Sequence, residues 1–148
     1  MAARFAVPSV PVAEAKRSLP AYLEQARQHL LQIVTRHDRD EVAMIALQDL
    51  RELLRDHHFE TDAVIHRGEA TVALPQFGMF GIGETVDAAT DDLLEKLREY
   101  AVQYLERFDF YRYTDRRALY PLVMRFLATP EAEQRELLLD VEDAPTLA

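Results

Sequence analysis

The chain contains no cysteine, which removes disulfide cross-links, thiolate metal sites such as zinc knuckles, and thiol catalysis. Ser9 and Ser18 are its only serines, and neither sits in the strand-to-helix turn that presents a nucleophile. Glycine is scarce, with four residues in 148. Three of them, Gly78, Gly81 and Gly83, gather in one segment whose spacing fits neither the dinucleotide nor the Walker pattern. No lysine follows, so the segment reads as a bend or a kinked strand rather than a phosphate loop. The histidines are His29, His37, His57, His58 and His66; no two share metal-ligand spacing on one helix face. No enzyme, metal or cofactor is expected. No apolar run approaches the roughly 18 residues of a spanning helix, and Met1 to Val12 lacks a signal-peptide core, so a cytoplasmic protein without a membrane span is expected.

Basic residues are also in deficit: 17 against 26 acidic, a formal charge of −9. That argues against a generic nucleic-acid binder, because phosphate affinity rests on clustered Lys and Arg. The deficit is uneven. Residues 1–60 carry eight basic and nine acidic side chains, net −1, whereas residues 61–148 carry nine and seventeen, net −8. Such asymmetry points to two partners of different sign. The composition, 49% hydrophobic and 29% charged, is that of a folded chain. Two small domains of this size would each hold a thin core, and oligomerisation would supply the missing buried area.

Ser9 to Val12 reads as a short strand, with Pro8 and Pro11 favouring extended geometry before them. Leu19, Leu23, Ala26 and Leu30 recur at helical spacing, but Pro20 lies among them. Proline belongs in a first turn, so the segment divides into a helix over Ala13 to Ser18 and a second beginning at Pro20. Leu31 to Arg36 and Glu41 to Leu47 read as a hairpin around the polar link HDRD. Asp49 is placed to cap a third helix carrying Leu50, Leu53 and Leu54 on one face.

The runs SVPVAEAKRSLPAYLEQ and LQIVTRHDRDEVAMIALQDLRELL are similar to antitoxins of the Phd/YefM type. That family's pattern is a strand, Glu-Ala-Arg with a Leu, a helix, an Ile-Thr-Arg strand, a polar turn, an apolar strand and a further helix. Glu14, Ala15, Lys16 and Leu19 stand in the first motif; Val34, Thr35 and Arg36 stand in the second. Lys16 replaces the usual arginine, and the turn His37-Asp38-Arg39-Asp40 lacks glycine. The resemblance implies a homodimer sharing a sheet, operator DNA as one partner and a cognate toxin, RelE-like or otherwise RNA-cleaving, as the other. Lys16, Arg17, Arg36 and Arg39 are the DNA-binding candidates. A lysine at 16 keeps the charge but loses the bidentate fork, which favours phosphate contact over base reading.

In the second half, His57 to Gly68 reads as a connector, with the boundary near Glu60. Glu69 to Pro75 alternates as a strand. Thr85 is placed to cap a long helix on which Leu93, Leu97, Tyr100, Ala101, Tyr104, Leu105 and Phe108 form one stripe. The stretch VALPQFGMFGIGETVDAATDDL is similar to the core of HicB-type antitoxins, which supports a strand, strand, helix unit. Phe108 to Tyr120 concentrates aromatics and arginines as an interface does, and Tyr111, Tyr113, Arg112 and Arg116 are the partner-binding candidates. Pro121 and Pro130 each open a helix, and the tail from Val141 is expected to fray.

The expectation is therefore an α+β fold. Residues 1–60 form a β-α-α-β-β-α unit that dimerises through a sheet and binds DNA. Residues 61–148 form a small β-β-α part with further helices that engages a toxin. Two other readings stay open: an interaction module whose first domain dimerises without binding DNA, and a small-ligand protein using the Gly78 to Gly83 bend.

Overall fold

Two three-stranded sheets organise the computed structural model, which describes residue 7 and residues 9–36 and 40–139. The chain separates into two compact units, residues 1–53 and 54–148. Pro8, the turn residues His37 to Arg39 and the tail from Asp140 onwards lie outside the described residues.

In the first unit, β1 (Ser9–Pro11) runs parallel to β2 (Gln32–Arg36), with Val10 opposite Val34. The β3 strand (Asp40–Met44) is antiparallel to β2, from Gln32 opposite Met44 to Arg36 opposite Asp40. A parallel pair needs a crossover, supplied by α1 (Val12–Arg17) and α2 (Leu19–Arg27). Both helices start one residue earlier than expected. The break falls at Ser18, whose carbonyl accepts the Ala21 amide at 3.0 Å, and Pro20, with no amide hydrogen, sits in the first turn. The β3 strand ends at Met44 rather than Leu47, because Met44 faces Gln32, the first residue of β2, and beyond it there is no strand left to pair with.

This shortening moves α3 (Leu47–Leu54) forward. Asp49 therefore lies inside the first turn instead of capping it, and its two carboxylate oxygens each lie 2.8 Å from His29 Nδ1. His29 ends α2 in the left-handed region, at φ 70. Around it the Leu30 amide donates to the Gln25 carbonyl and the His29 amide to that of Ala26, both at 3.0 Å, a Schellman closure usually built on glycine.

The second unit is a meander of β4 (Asp62–His66), β5 (Glu69–Leu74) and β6 (Met79–Gly83). The β4 strand corrects the expected connector. All five of its residues are exposed, so it shows no buried face for alternation to reveal. Arg67 and Gly68, at φ 51 and 81, close the β4–β5 hairpin in two residues. That is the I′ geometry matching strand twist. A 3-10 turn (Pro75–Phe77) and Gly78 lead into β6, so the glycine segment is the third strand of the sheet.

One long helix, α4 (Val86–Glu106), covers the sheet. Thr85 caps it as expected, its hydroxyl oxygen accepting the Ala88 amide at 3.1 Å. The buried stripe is Ala89, Thr90, Leu93, Leu94, Leu97, Ala101 and Tyr104. It meets Ala70, Val72 and Leu74 of β5 in one core. Leu105 is exposed, and Phe108 belongs to α5 (Phe108–Tyr111), because the helix stops at Arg107. After a 3-10 turn over Asp115–Leu119 come α6 (Tyr120–Leu127) and α7 (Glu131–Leu139). Arg135 fastens α7 to α4, donating to the Asp91 carboxylate and, at 2.8 Å, to that of Asp87. Phe59 is buried in this core, 6.1 Å from the Phe77 ring centroid in a stacked pair.

Gly81 and Gly83 set how closely α4 approaches the sheet. A Cβ at Gly83 would lie 2.6 Å from the Ala88 Cβ, and one at Gly81 would collide with the Ala89 carbonyl and Leu93. Gly68 meets nothing within 4 Å and is needed only for its positive φ. Urea denaturation separates the two demands. Gly68→Ala should cost about 1 kcal/mol, the left-handed penalty, whereas Gly81→Ala should cost about 3 kcal/mol or more because two backbones must part. In the same assay Thr85→Ala should cost about 1 kcal/mol through the lost cap.

Candidate functional site

The expected DNA-binding side chains lie along α1 and the strand end beside it. Pro11, which precedes α1, pairs with Thr35, so Arg36 follows directly after the β1–β2 ladder, at the start of α1. Lys16 and Arg17 occupy the last turn of α1, roughly 6 to 8 Å further along at 1.5 Å per residue. All three side chains are exposed. Arg17 approaches Glu14 at 3.6 Å, a solvent-screened pair that leaves its guanidinium available. Ala15 is buried and holds α1 against the sheet. Arg39 lies outside the described residues.

Around these residues the first unit leaves much apolar surface open. Among the described residues, Val10, Ala15, Ala26 and Ile33 are its buried hydrophobics. Of the expected α2 stripe, only Ala26 is inside; Leu19, Leu23 and Leu30 are 42%, 52% and 56% exposed. Val42 on β3 and Leu47 and Leu53 on α3 are exposed as well. Leu23 and Ala26 line a shallow groove whose other wall runs from Ala43 to Gln48.

In the second unit the four expected partner-binding residues divide into two pairs. Tyr111 stacks on buried Tyr104, centroids 5.1 Å apart and planes 10° from parallel. Arg116 donates to the Tyr100 hydroxyl at 2.6 Å, and its backbone carbonyl accepts the Tyr104 hydroxyl at 2.7 Å. Burial, with Tyr100 and Tyr120 nearby, raises the Tyr104 phenol above its ordinary pKa, so it stays a neutral donor. Tyr111 and Arg116 thus build the corner. Tyr113 and Arg112 face outwards, the ring 82% exposed with the guanidinium 5.3 Å from its centroid. Phe110, 61% exposed beneath Arg107, repeats this arrangement. Phe110 lies within the aromatic stretch from Phe108 to Tyr120 but is not among the expected partner-binding residues; α5 turns Phe108 and Tyr111 towards the core and leaves Asp109 and Phe110 exposed, and four residues are too few for periodicity to show it.

The other exposed feature is acidic. Asp87, Asp91, Glu95 and Glu99 recur every fourth residue on the outer face of α4. Asp92 sits beside them, and the Lys96 ammonium and the Ile82 amide, each 2.9 Å from its carboxylate, hold its pKa below the ordinary range. Among the described residues no three His, Asp or Glu side chains gather as metal ligands, and no helix is long and apolar enough to cross a membrane.

Comparison with known proteins bears on both units. The crystal structure of the antitoxin part of a proposed toxin/antitoxin system from Syntrophomonas wolfei subsp. wolfei superposes with a TM-score of 0.73. It is 20% identical, and the match covers 88% of this chain and 96% of that one, so the two share a fold. No curated protein matches the chain. A family model described as PHD-like, antitoxin of toxin-antitoxin, RelE/RelB, matches residues 7–141. That span runs through both sheets and all seven helices among the described residues, and the chain belongs to this family of antitoxins, which are not enzymes.

Proposed function

We propose that this antitoxin is a homodimer joined through its first unit, that it binds operator DNA and represses its own operon, and that its second unit neutralises a cognate toxin by direct contact. The toxin in this reading is RelE-like or another RNA-cleaving enzyme. The carrying observation is the unfinished first unit: Leu19 and Leu23 on α2, and Leu30 just beyond its end, remain about half exposed. Each such leucine leaves roughly 1 kcal/mol of burial unrealised, and a second copy laid over this apolar surface recovers it from both sides.

Dimerisation also answers the charge objection. One copy presents Lys16, Arg17 and Arg36 on a domain of near-zero net charge; a two-fold axis doubles that set on one face and leaves the acid excess in the other unit. Lys16 and Arg17, as flexible exposed cations on a short helix, suit phosphate contact. On the toxin side, the acidic face of α4, on which Asp87 and Asp91 already bond Arg135 while Glu95 and Glu99 continue the row, complements a basic, RNA-binding surface. Tyr113 and Arg112 supply an aromatic and guanidinium anchor there, with Tyr111 and Arg116 holding them in place. The first unit as a dimerisation platform without DNA binding is the competing reading, and the same three basic residues decide it.

In gel shifts with DNA from upstream of its own gene, reversing Lys16, Arg17 and Arg36 to glutamate together should weaken binding at least tenfold and flatten its salt dependence by up to about six phosphates, about three from each protomer of the dimer. Unchanged binding in a variant that stays dimeric would leave only the interaction-module reading. In pull-downs with the product of the neighbouring gene, Arg112→Glu with Tyr113→Ala should release the toxin while the antitoxin's thermal melt is preserved. Retained binding would move the toxin surface elsewhere.

A further inference from the structure

The two edges of the second sheet are finished differently. At β6 two of the backbone groups that face away from β5 are taken by side chains: the Ile82 amide donates to Asp92 and the Phe80 carbonyl accepts from Lys96, both at 2.9 Å. Asp92 and Lys96 also bond each other at 2.9 Å, so the pair closes that edge against further strands. At β4 no described side chain plays this part. His66 opposite Glu69 closes a two-residue hairpin, so His66, Val64 and Asp62 direct their amides and carbonyls at β5. Ala63 and Ile65 direct theirs outwards. Val64 and Ile65 are 60% and 69% exposed.

The β4 edge is also self-complementary. In an antiparallel pairing centred on Val64, Ala63 faces Ile65 of a second copy and Ile65 faces its Ala63. These are the two residues with outward backbone groups, and the two pairs exchange about four hydrogen bonds. Val64 then meets Val64 across the axis in a non-hydrogen-bonded pair, where side chains come closest. At both ends the Asp62 carboxylate faces the His66 imidazole of the other copy. Backbone donors, apolar side chains and charge all agree in this one register, and a one-residue slip loses all three. We propose that β4 is a second homotypic interface, joining two copies of the chain edge to edge into a six-stranded sheet about a two-fold axis at Val64. Together with dimerisation through the first unit, it would link antitoxin dimers into higher assemblies. It rests on the second unit alone and holds whether or not the chain binds DNA.

The absence of native cysteine makes the test direct. In the full-length chain, Val64→Cys should form a covalent dimer under mild oxidation at least roughly tenfold faster than Phe80→Cys, because the paired thiols are held at high effective concentration. Phe80 is 51% exposed on the same face of the sheet, so it controls for accessibility. Adding Ala63→Pro removes an outward amide that β5 does not use and should return the Val64→Cys rate to the control value. If that proline disturbs the circular dichroism melt, charge takes its place: D62K should slow cross-linking of V64C, and D62K with H66D should restore it. Equal rates for V64C and F80C, or a charge swap that fails to rescue, would overturn the proposal and leave the edge open to another protein's strand.

Discussion

The backbone-to-backbone approach of α4 to β5 and β6 is the contact on which the second unit depends. It exists because positions 81 and 83 have no side chain. With the helix seated at that distance, Leu93 and Leu97 reach Val72 and Leu74, and the core closes around Phe126 and Leu138. The same seating brings Asp92 and Lys96 within reach of the β6 edge. Glycine is needed here for proximity, not for an unusual backbone angle. Packing on one face of the sheet and closure of one edge therefore share a cause.

The first unit has no such centre. Its helices are short, α3 buries none of its residues, and a thin core leaves leucines in solvent. The His29 to Asp49 contact is one of the few links that tie α2 to α3 across the unit. It uses a residue in a left-handed conformation where glycine would be easier. Physical incompleteness of this kind is normal below about 60 residues and is resolved by association. Unlike the second unit, whose apolar residues mostly find each other within one copy, the first leaves Leu19, Leu23 and Leu30 about half exposed, which is what the proposed dimer would cover.

The aromatic corner after α4 shows how one stretch of sequence serves two ends. Tyr104, Tyr111 and Arg116 cross-link α4, α5 and the 3-10 turn that follows through stacked rings and hydroxyl bonds. That scaffold projects Phe110 and Tyr113 outwards, each with a guanidinium over its ring. A rigid base under an exposed aromatic lowers the entropy lost when a partner covers it, which suits the toxin contact proposed for this corner.

Much of this architecture was present in the sequence as pattern. The order strand, helix, helix, strand, strand, helix followed from periodicity and from Pro20; Thr85 announced α4; Glu14, Ala15, Thr35 and Arg36 carried the family likeness. These features depend on neighbours within a few residues, and local spacing records them. Tertiary structure decided what spacing cannot hold. It turned Asp49 from a cap into the partner of a histidine twenty residues away, and it settled the bend-or-kinked-strand segment as β6, with Gly81 as its contact point for α4. It sent Tyr111 inwards and Tyr113 outwards within one short run. It revealed β4, which is invisible to alternation because a strand exposed on every residue in a single copy has no buried face to advertise. Residues that meet only after the chain has folded leave no period behind them, and the same holds for surfaces that would be buried only against another molecule.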